Sequence, residues 1–155
     1  MDNRTYQLEE RYKTPVEFVI AELSKNKGTQ NNVMKCKLVD KAKKLQIVFD
    51  EKKVNKRELV EKIIAIIGVE AVAEEYGVGI RSCHWQQKFG ISNADIREMA
   101  TKGFIKITGQ ERFRAYGEYR LANLYSVFQY YQLSWEEIHK WLTDNKRNKT
   151  TSNLT

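Results

Sequence analysis

The side chains most often recruited for nucleophilic or metal chemistry are few in this chain: Cys36, Cys83, His84 and His139. The cysteines form no CxxC pair and have no histidine at metal-ligand spacing. No carboxylate pair accompanies a histidine in a ligand or acid–base pattern. The glycines are scattered and build no phosphate-cradling loop. These residues predict no enzyme, no metal and no cofactor. Both cysteines read as small apolar core residues of a reducing, cytoplasmic compartment.

A different chemistry gathers further along the chain, that of holding a polyanion. The formal charge of the 155 residues is +7, and it is unevenly spread. Residues 81–120 carry eight basic side chains (Arg81, Lys88, Arg97, Lys102, Lys106, Arg112, Arg114 and Arg120) against four acidic ones (Asp95, Glu98, Glu111 and Glu118), a surplus of four. More than half of the net charge therefore sits in about a quarter of the chain. Small and polar residues, Ser92, Asn93 and Ala94, lie just upstream of Arg97. Together these types suit phosphate oxygens and base edges.

The elements that must position these residues follow from periodicity and capping. The composition, 41% hydrophobic and 30% charged, is that of a globular chain able to bury a core without disulfides. Thr14 and Pro15 open a helix carrying Val16, Val19, Ile20 and Leu23, which should stop near Lys27-Gly28. Met34, Cys36 and Leu38, then Leu45, Ile47 and Phe49, alternate with polar residues around Asp40–Lys43 and predict a β-hairpin rich in lysine. Its lysines, Lys35 to Lys44, serve either to block edge pairing or to bind phosphate, the former being favoured. Asn55 caps a helix with Leu59, Ile63, Ile66 and Ile67, broken at Gly68 and continued from Val69 to Tyr76.

Arg81–Phe89 predicts a helix with Trp85 and Phe89 inward and Gly90 at its end. Ser92 caps the next, with Asp95 three residues on and Ile96 and Met99 buried. Phe104–Thr108 alternates as a strand, Gly109–Gly117 is an Arg- and aromatic-rich loop, and Glu118–Leu121 returns as a second strand. Leu121, Leu124, Phe128 and Tyr131 space a further helix. Ser134 and Glu137 cap the last, which carries Ile138, Trp141 and Leu142. The aromatic group Tyr125, Phe128, Tyr130, Tyr131, Trp135 and Trp141 reads as core or dimer interface. The division expected is 1–80 as an N-terminal helix–hairpin–helix unit, 81–121 as the basic unit, 122–145 as C-terminal helices and 146–155 as a disordered tail. No apolar leader or membrane span is expected.

The stretch Arg81-Ser-Cys-His-Trp-Gln-Gln-Lys-Phe-Gly-Ile-Ser-Asn-Ala-Asp-Ile-Arg-Glu-Met-Ala-Thr-Lys-Gly-Phe-Ile-Lys-Ile-Thr108 resembles the winged helix-turn-helix superfamily. Gly90 takes the place of the turn glycine and Ile91 that of the plug between the helices. Gln86 departs from the small residue that often stands four positions before that glycine. Glu70–Val78 is similar to a first helix and turn as well, with Ala73 and Gly77 four apart. It serves better as the helix preceding the winged unit. The resemblance implies an α+β, mainly helical fold whose Ser92–Lys102 helix enters the major groove of duplex DNA. Its wing would place Arg112 and Arg114 on the flanking backbone or in the minor groove. Phe113 and Tyr116 would anchor the wing to the body.

The expected DNA-binding residues are thus Ser92, Asn93, Ala94, Arg97, Lys102, Lys106, Arg112 and Arg114. The expected partners are double-stranded DNA and a second copy of the chain, with no membrane. The expected roles are transcriptional regulation, or an accessory task in plasmid or phage replication, partition or transfer. The rival reading is a protein-interaction module, such as a phage-encoded inhibitor or scaffold, that uses the same shape to grip a protein partner. A third is single-strand or RNA binding through the lysines of 35–44 and the aromatics.

Overall fold

The computed structural model describes residues 7–25 and 33–154, with side chains described as far as Asn145. The fold is α+β and mainly helical, with a two-stranded antiparallel sheet. None of the described helices is long and apolar enough to cross a membrane.

The regular elements described in the N-terminal half are helices. Helix α1 (Gln7–Arg11) leads through Tyr12 to α2 (Pro15–Ser24). Thr14 caps α2, its side-chain oxygen accepting from the Glu17 amide at 3.2 Å, and Pro15 occupies the first turn. Phe18, Val19, Ile20 and Leu23 are buried. The helix ends at Ser24, and the expected stop at Lys27-Gly28 lies outside the described residues.

The β-hairpin predicted for Met34–Phe49 is not formed. Lys35–Lys44 is helix α3, and its buried residues are Leu38, Val39 and Ala42. Those positions make a stripe one helical face wide, whereas the alternating set breaks because Met34 and Cys36 are exposed. Helix α3 packs on α4 (Lys56–Ile67), which Asn55 caps by accepting from the Glu58 amide at 2.8 Å. The Lys56 ammonium is buried and donates to the Lys25 carbonyl at 2.6 Å. Burial pulls its pKa below the usual lysine range. Helix α5 (Val69–Tyr76) follows Gly68 and ends at Gly77 in the left-handed region.

Helix α6 (Ser82–Phe89) buries Trp85 and Phe89, and Gly90 closes it with φ 61°. A side chain there would be strained, so the tight turn into α7 (Asn93–Thr101) requires glycine. Ile91 is buried in the angle between the two helices. Ser92 and Asp95 form a reciprocal capping box. Ile96 and Met99 have no exposure, so α7 is locked to the core.

The hairpin after α7 is longer than predicted. Strand β1 spans Ile107–Ala115 and β2 spans Glu118–Tyr125, joined by the two-residue turn Tyr116-Gly117. Both turn residues have positive φ, 53° and 78°, the geometry that matches strand twist. Arg112 and Arg114 therefore lie on a strand and not in a loop. Phe104 and Ile105, expected in the first strand, instead direct their amides to the Met99 carbonyl and finish α7. Leu121 and Leu124, expected on a helix, belong to β2. The following helix α8 is only Val127–Gln132, capped by Ser126.

Helix α9 spans Trp135–Leu154, over the segment read as a disordered tail. Ser134 caps it by accepting from the Glu137 amide and donating to the Glu137 carboxylate. The core continues through Trp85, Phe89 and Tyr130, whose rings lie 5.3 to 6.1 Å apart. Tyr125, Phe128, Tyr130, Ile138 and Leu142 are buried, Tyr131 and Trp141 half-buried, and Trp135 exposed. Trp135 stacks on His139, whose Nε2 donates to the Phe89 carbonyl at 2.6 Å. The Tyr131 hydroxyl donates to the Tyr12 carbonyl, tying α8 to the first two helices. Burial, with Glu9 and Glu17 adding to it, pushes the Tyr131 pKa up to about 12.

Candidate nucleic-acid interface

The capping box at Ser92 leaves the outer side of α7 to solvent. Ser92, Asn93, Ala94 and Arg97 are all exposed there. The Arg97 guanidinium makes no hydrogen bond or ion pair among the described residues. The other two predicted cations of this region are engaged. Lys102 lies 3.2 Å from the Glu98 carboxylate, donates to Asn145 at 3.1 Å and sits over the Trp141 ring. Lys106 pairs with Glu74 of α5. The structure thus groups Arg97 with the α7 N-terminus and ties Lys102 and Lys106 into the scaffold.

The hairpin presents a second basic surface. Its register sets Arg112 opposite Leu121 and Arg114 opposite Tyr119. Cross-strand partners share a face, so Arg112, Arg114, Tyr119 and Leu121 line one side of the ribbon. All four are exposed, Tyr119 at 63% and Leu121 at 65%. The Arg112 guanidinium lies 4.1 Å from the Tyr119 ring centre and that of Arg114 lies 5.8 Å away. At the tip, Tyr116 is 95% exposed and Arg120 approaches its ring at 5.8 Å. Tyr116 therefore does not anchor the hairpin to the body, contrary to expectation. Sequence reasoning also missed Tyr119, which the register places beside the expected arginines, and Arg120, which it places opposite Phe113 on the other face of the ribbon. The arginine–tyrosine alternation across the Tyr116-Gly117 turn was the signal available for them.

The hairpin is fixed at its root. Arg81, at the N-cap of α6, donates from Nε and Nη2 to the two carboxylate oxygens of Glu111 on β1. Such a two-pronged, charge-assisted contact fixes orientation as well as distance. That contact, outweighing a burial effect of opposite sign, raises the Arg81 pKa further. Ile80 exchanges both backbone hydrogen bonds with Tyr125 on β2, at 2.9 and 2.8 Å. Gly109 lies against the backbone of Gly77, and a Cβ at Gly109 would fall 2.2 Å from the Gly77 carbonyl oxygen. Only glycine allows that approach.

His84, on α6 beside this root, is half-buried, and burial followed by the Arg81 charge lowers its pKa. Cys36 and Cys83 are both exposed, not core residues as expected. Among the described residues, no group of three or more His, Cys, Asp and Glu side chains is placed to hold a metal ion.

No family model matches the chain, and no curated protein or solved structure matches it either.

Proposed function

We propose that this chain binds double-stranded DNA through a winged helix-turn-helix, with α7 as the major-groove helix and the β1–β2 hairpin as the wing. The observation that carries the reading is the Arg112–Tyr119–Arg114 face of the hairpin, a ribbon face of exposed cations and aromatic ring that follows in the chain a helix whose exposed N-terminal turn ends in Arg97. The element order supports it. Helix α5, helix α6, the Gly90 turn, helix α7 and the hairpin follow one another in the order that the resemblance implies. A helix N-terminus and guanidinium groups both favour phosphate. Tyr119 lies against the guanidinium groups of Arg112 and Arg114, cation–π contacts that help to set where these two cations stand on the ribbon.

In this reading the chain serves as a transcriptional regulator or as an accessory factor of plasmid or phage replication, partition or transfer, acting in the cytoplasm as a dimer. A second reading is favoured by the exposed apolar side chains on the same hairpin: Phe113, Tyr116, Tyr119 and Leu121. A protein-interaction module would use them as anchors.

Fluorescence anisotropy on random-sequence duplex DNA, across a salt series, separates the two. Binding that weakens steeply with salt supports the DNA reading. No binding at low salt rejects it and leaves the protein-interaction module.

A further inference from the structure

A groove of about 740 Å³ opens between the inner side of the hairpin and the N-terminal helices α1 and α2, with α6 at its end. Its size is that of a small-molecule site, for which roughly 300–1,000 Å³ is usual. The walls come from separate parts of the chain. Leu8, Tyr12 and Phe18 supply one, and Phe113 and Leu124 of the hairpin supply the other. Tyr12 and Phe18 meet edge to face at 5.4 Å, which sets their rings as a rigid pair. Phe113 lies on the hairpin face opposite the Arg112–Tyr119 side, shared with Glu111 and Leu124 by strand alternation, and is 42% exposed. It is an aromatic ring bordering a concavity with part of its surface still in water.

The charges of the lining are unequal. Arg11, Lys25, Arg81 and Arg112 face Glu22 and Glu111 across or beside the groove. Lys25 is matched by Glu22 at 2.7 Å and Arg81 by Glu111. The Arg112 guanidinium is turned to Tyr119 on the other side of the ribbon. Arg11 has no acidic partner among the described residues. A groove bordered by the Tyr12 and Phe113 rings, with two matched ion pairs and one lining guanidinium, Arg11, for which the described residues supply no acid, is complementary to a ligand with a flat apolar body and a single negative charge.

We propose that this groove binds a small aromatic monoanion, with Arg11 taking the charge and Tyr12 and Phe113 holding the ring system. His84, at the α6 end, offers a neutral imidazole as a further hydrogen-bonding group. The site goes beyond DNA binding and does not depend on it.

The test is calorimetric titration of the full chain, without DNA, using 2-naphthoate as the probe and its uncharged carboxamide as the control. The expected result is one saturable site per chain, with the carboxamide at least tenfold weaker. Arg11→Ala, on the exposed side of α1, should weaken 2-naphthoate at least fivefold without altering thermal unfolding. Phe113→Ala should do the same, while Arg97→Ala should leave it unchanged. Absence of saturable binding, or binding by Arg11→Ala within twofold of the parent chain, overturns the proposal. Because no DNA is present, either result leaves the DNA reading to its own test.

Discussion

The outer side of α7 and the outer side of the hairpin both owe their place to basic residues, but they hold charge in different ways. Around α7, two of three nearby cations are spent inside the molecule. Lys102 is taken up by Glu98, Asn145 and Trp141, and Lys106 by Glu74. Only Arg97 stands clear among the described residues. On the hairpin, Arg112 and Arg114 on one face and Arg120 on the other have tyrosine rings as close neighbours, cation–π contacts that steady a guanidinium. Of the two hairpin acids, Glu111 is turned inward and matched by Arg81, while Glu118 is exposed next to the turn. The difference teaches that the count of cations in a segment and the charge it offers to a partner are separate quantities. Around α7 most of what is carried is already spent.

The most forceful way to break this comparison is to strip the hairpin. Arg112→Ala/Arg114→Ala/Arg120→Ala should lower duplex affinity about 100-fold at low salt, since a contact to a charged group is worth roughly 1.5–3 kcal/mol and the three are not additive. The slope of log K against log salt should shrink by about three. An unchanged slope, measured by anisotropy, would show that the wing does not meet phosphate. Next in size, Arg97→Ala should cost about tenfold and about one unit of slope.

Ser92→Ala removes one side of the capping box and should destabilise the fold by about 1 kcal/mol in urea titrations. An equal loss of affinity with no loss of stability would instead make Ser92 a direct contact. Lys102→Ala/Lys106→Ala should change affinity by less than about twofold, because both ammonium groups are held by acids of the scaffold and exposed pairs contribute little. A tenfold drop would reverse the ranking of the two surfaces.

The smallest effect concerns pH. Burial and Arg81 hold the His84 pKa below its ordinary value of 6.5 in the folded chain. The unfolded chain therefore takes up a proton first as pH falls, so His84 contributes stability above pH 6.5 that is lost as the pH drops through the folded value. Thermal unfolding followed from pH 8 to 5 should show a component of decline that His84→Gln lacks. Identical profiles would mean that burial and the Arg81 charge do not shift the imidazole.

What could be read from sequence was what neighbouring residues decide among themselves. The α6–α7 corner was legible because Gly90, Ser92 and Asp95 settle its geometry within a few positions. Helix α3 was not, because Leu38, Cys36 and Met34 mimic a strand period, and only packing against α4 selects Leu38, Val39 and Ala42 as the buried face. The strands of the hairpin were undersized because near the tip both faces meet water, so no apolar alternation marks them. The capture of Lys106 by Glu74, 32 residues away, and of Lys102 by Asn145, 43 residues away, leaves no local trace. The groove has the same origin, assembled from α1, α2, α6 and the hairpin.

The clamped root of the hairpin makes it a cantilever. Gly109 is seated on the Gly77 backbone and Glu111 is gripped by Arg81, while nothing described touches Tyr116 from the body. Glu111 and Tyr116 are five residue steps apart along the strand, a free length of about 17 Å at roughly 3.3 Å per step, so a rotation of about 10° at the root carries the tip about 3 Å. Bending stiffness at Glu111 thus governs how far the arginines can travel, and a lever fixed at one end can follow grooves of different width without any change in the body that carries it.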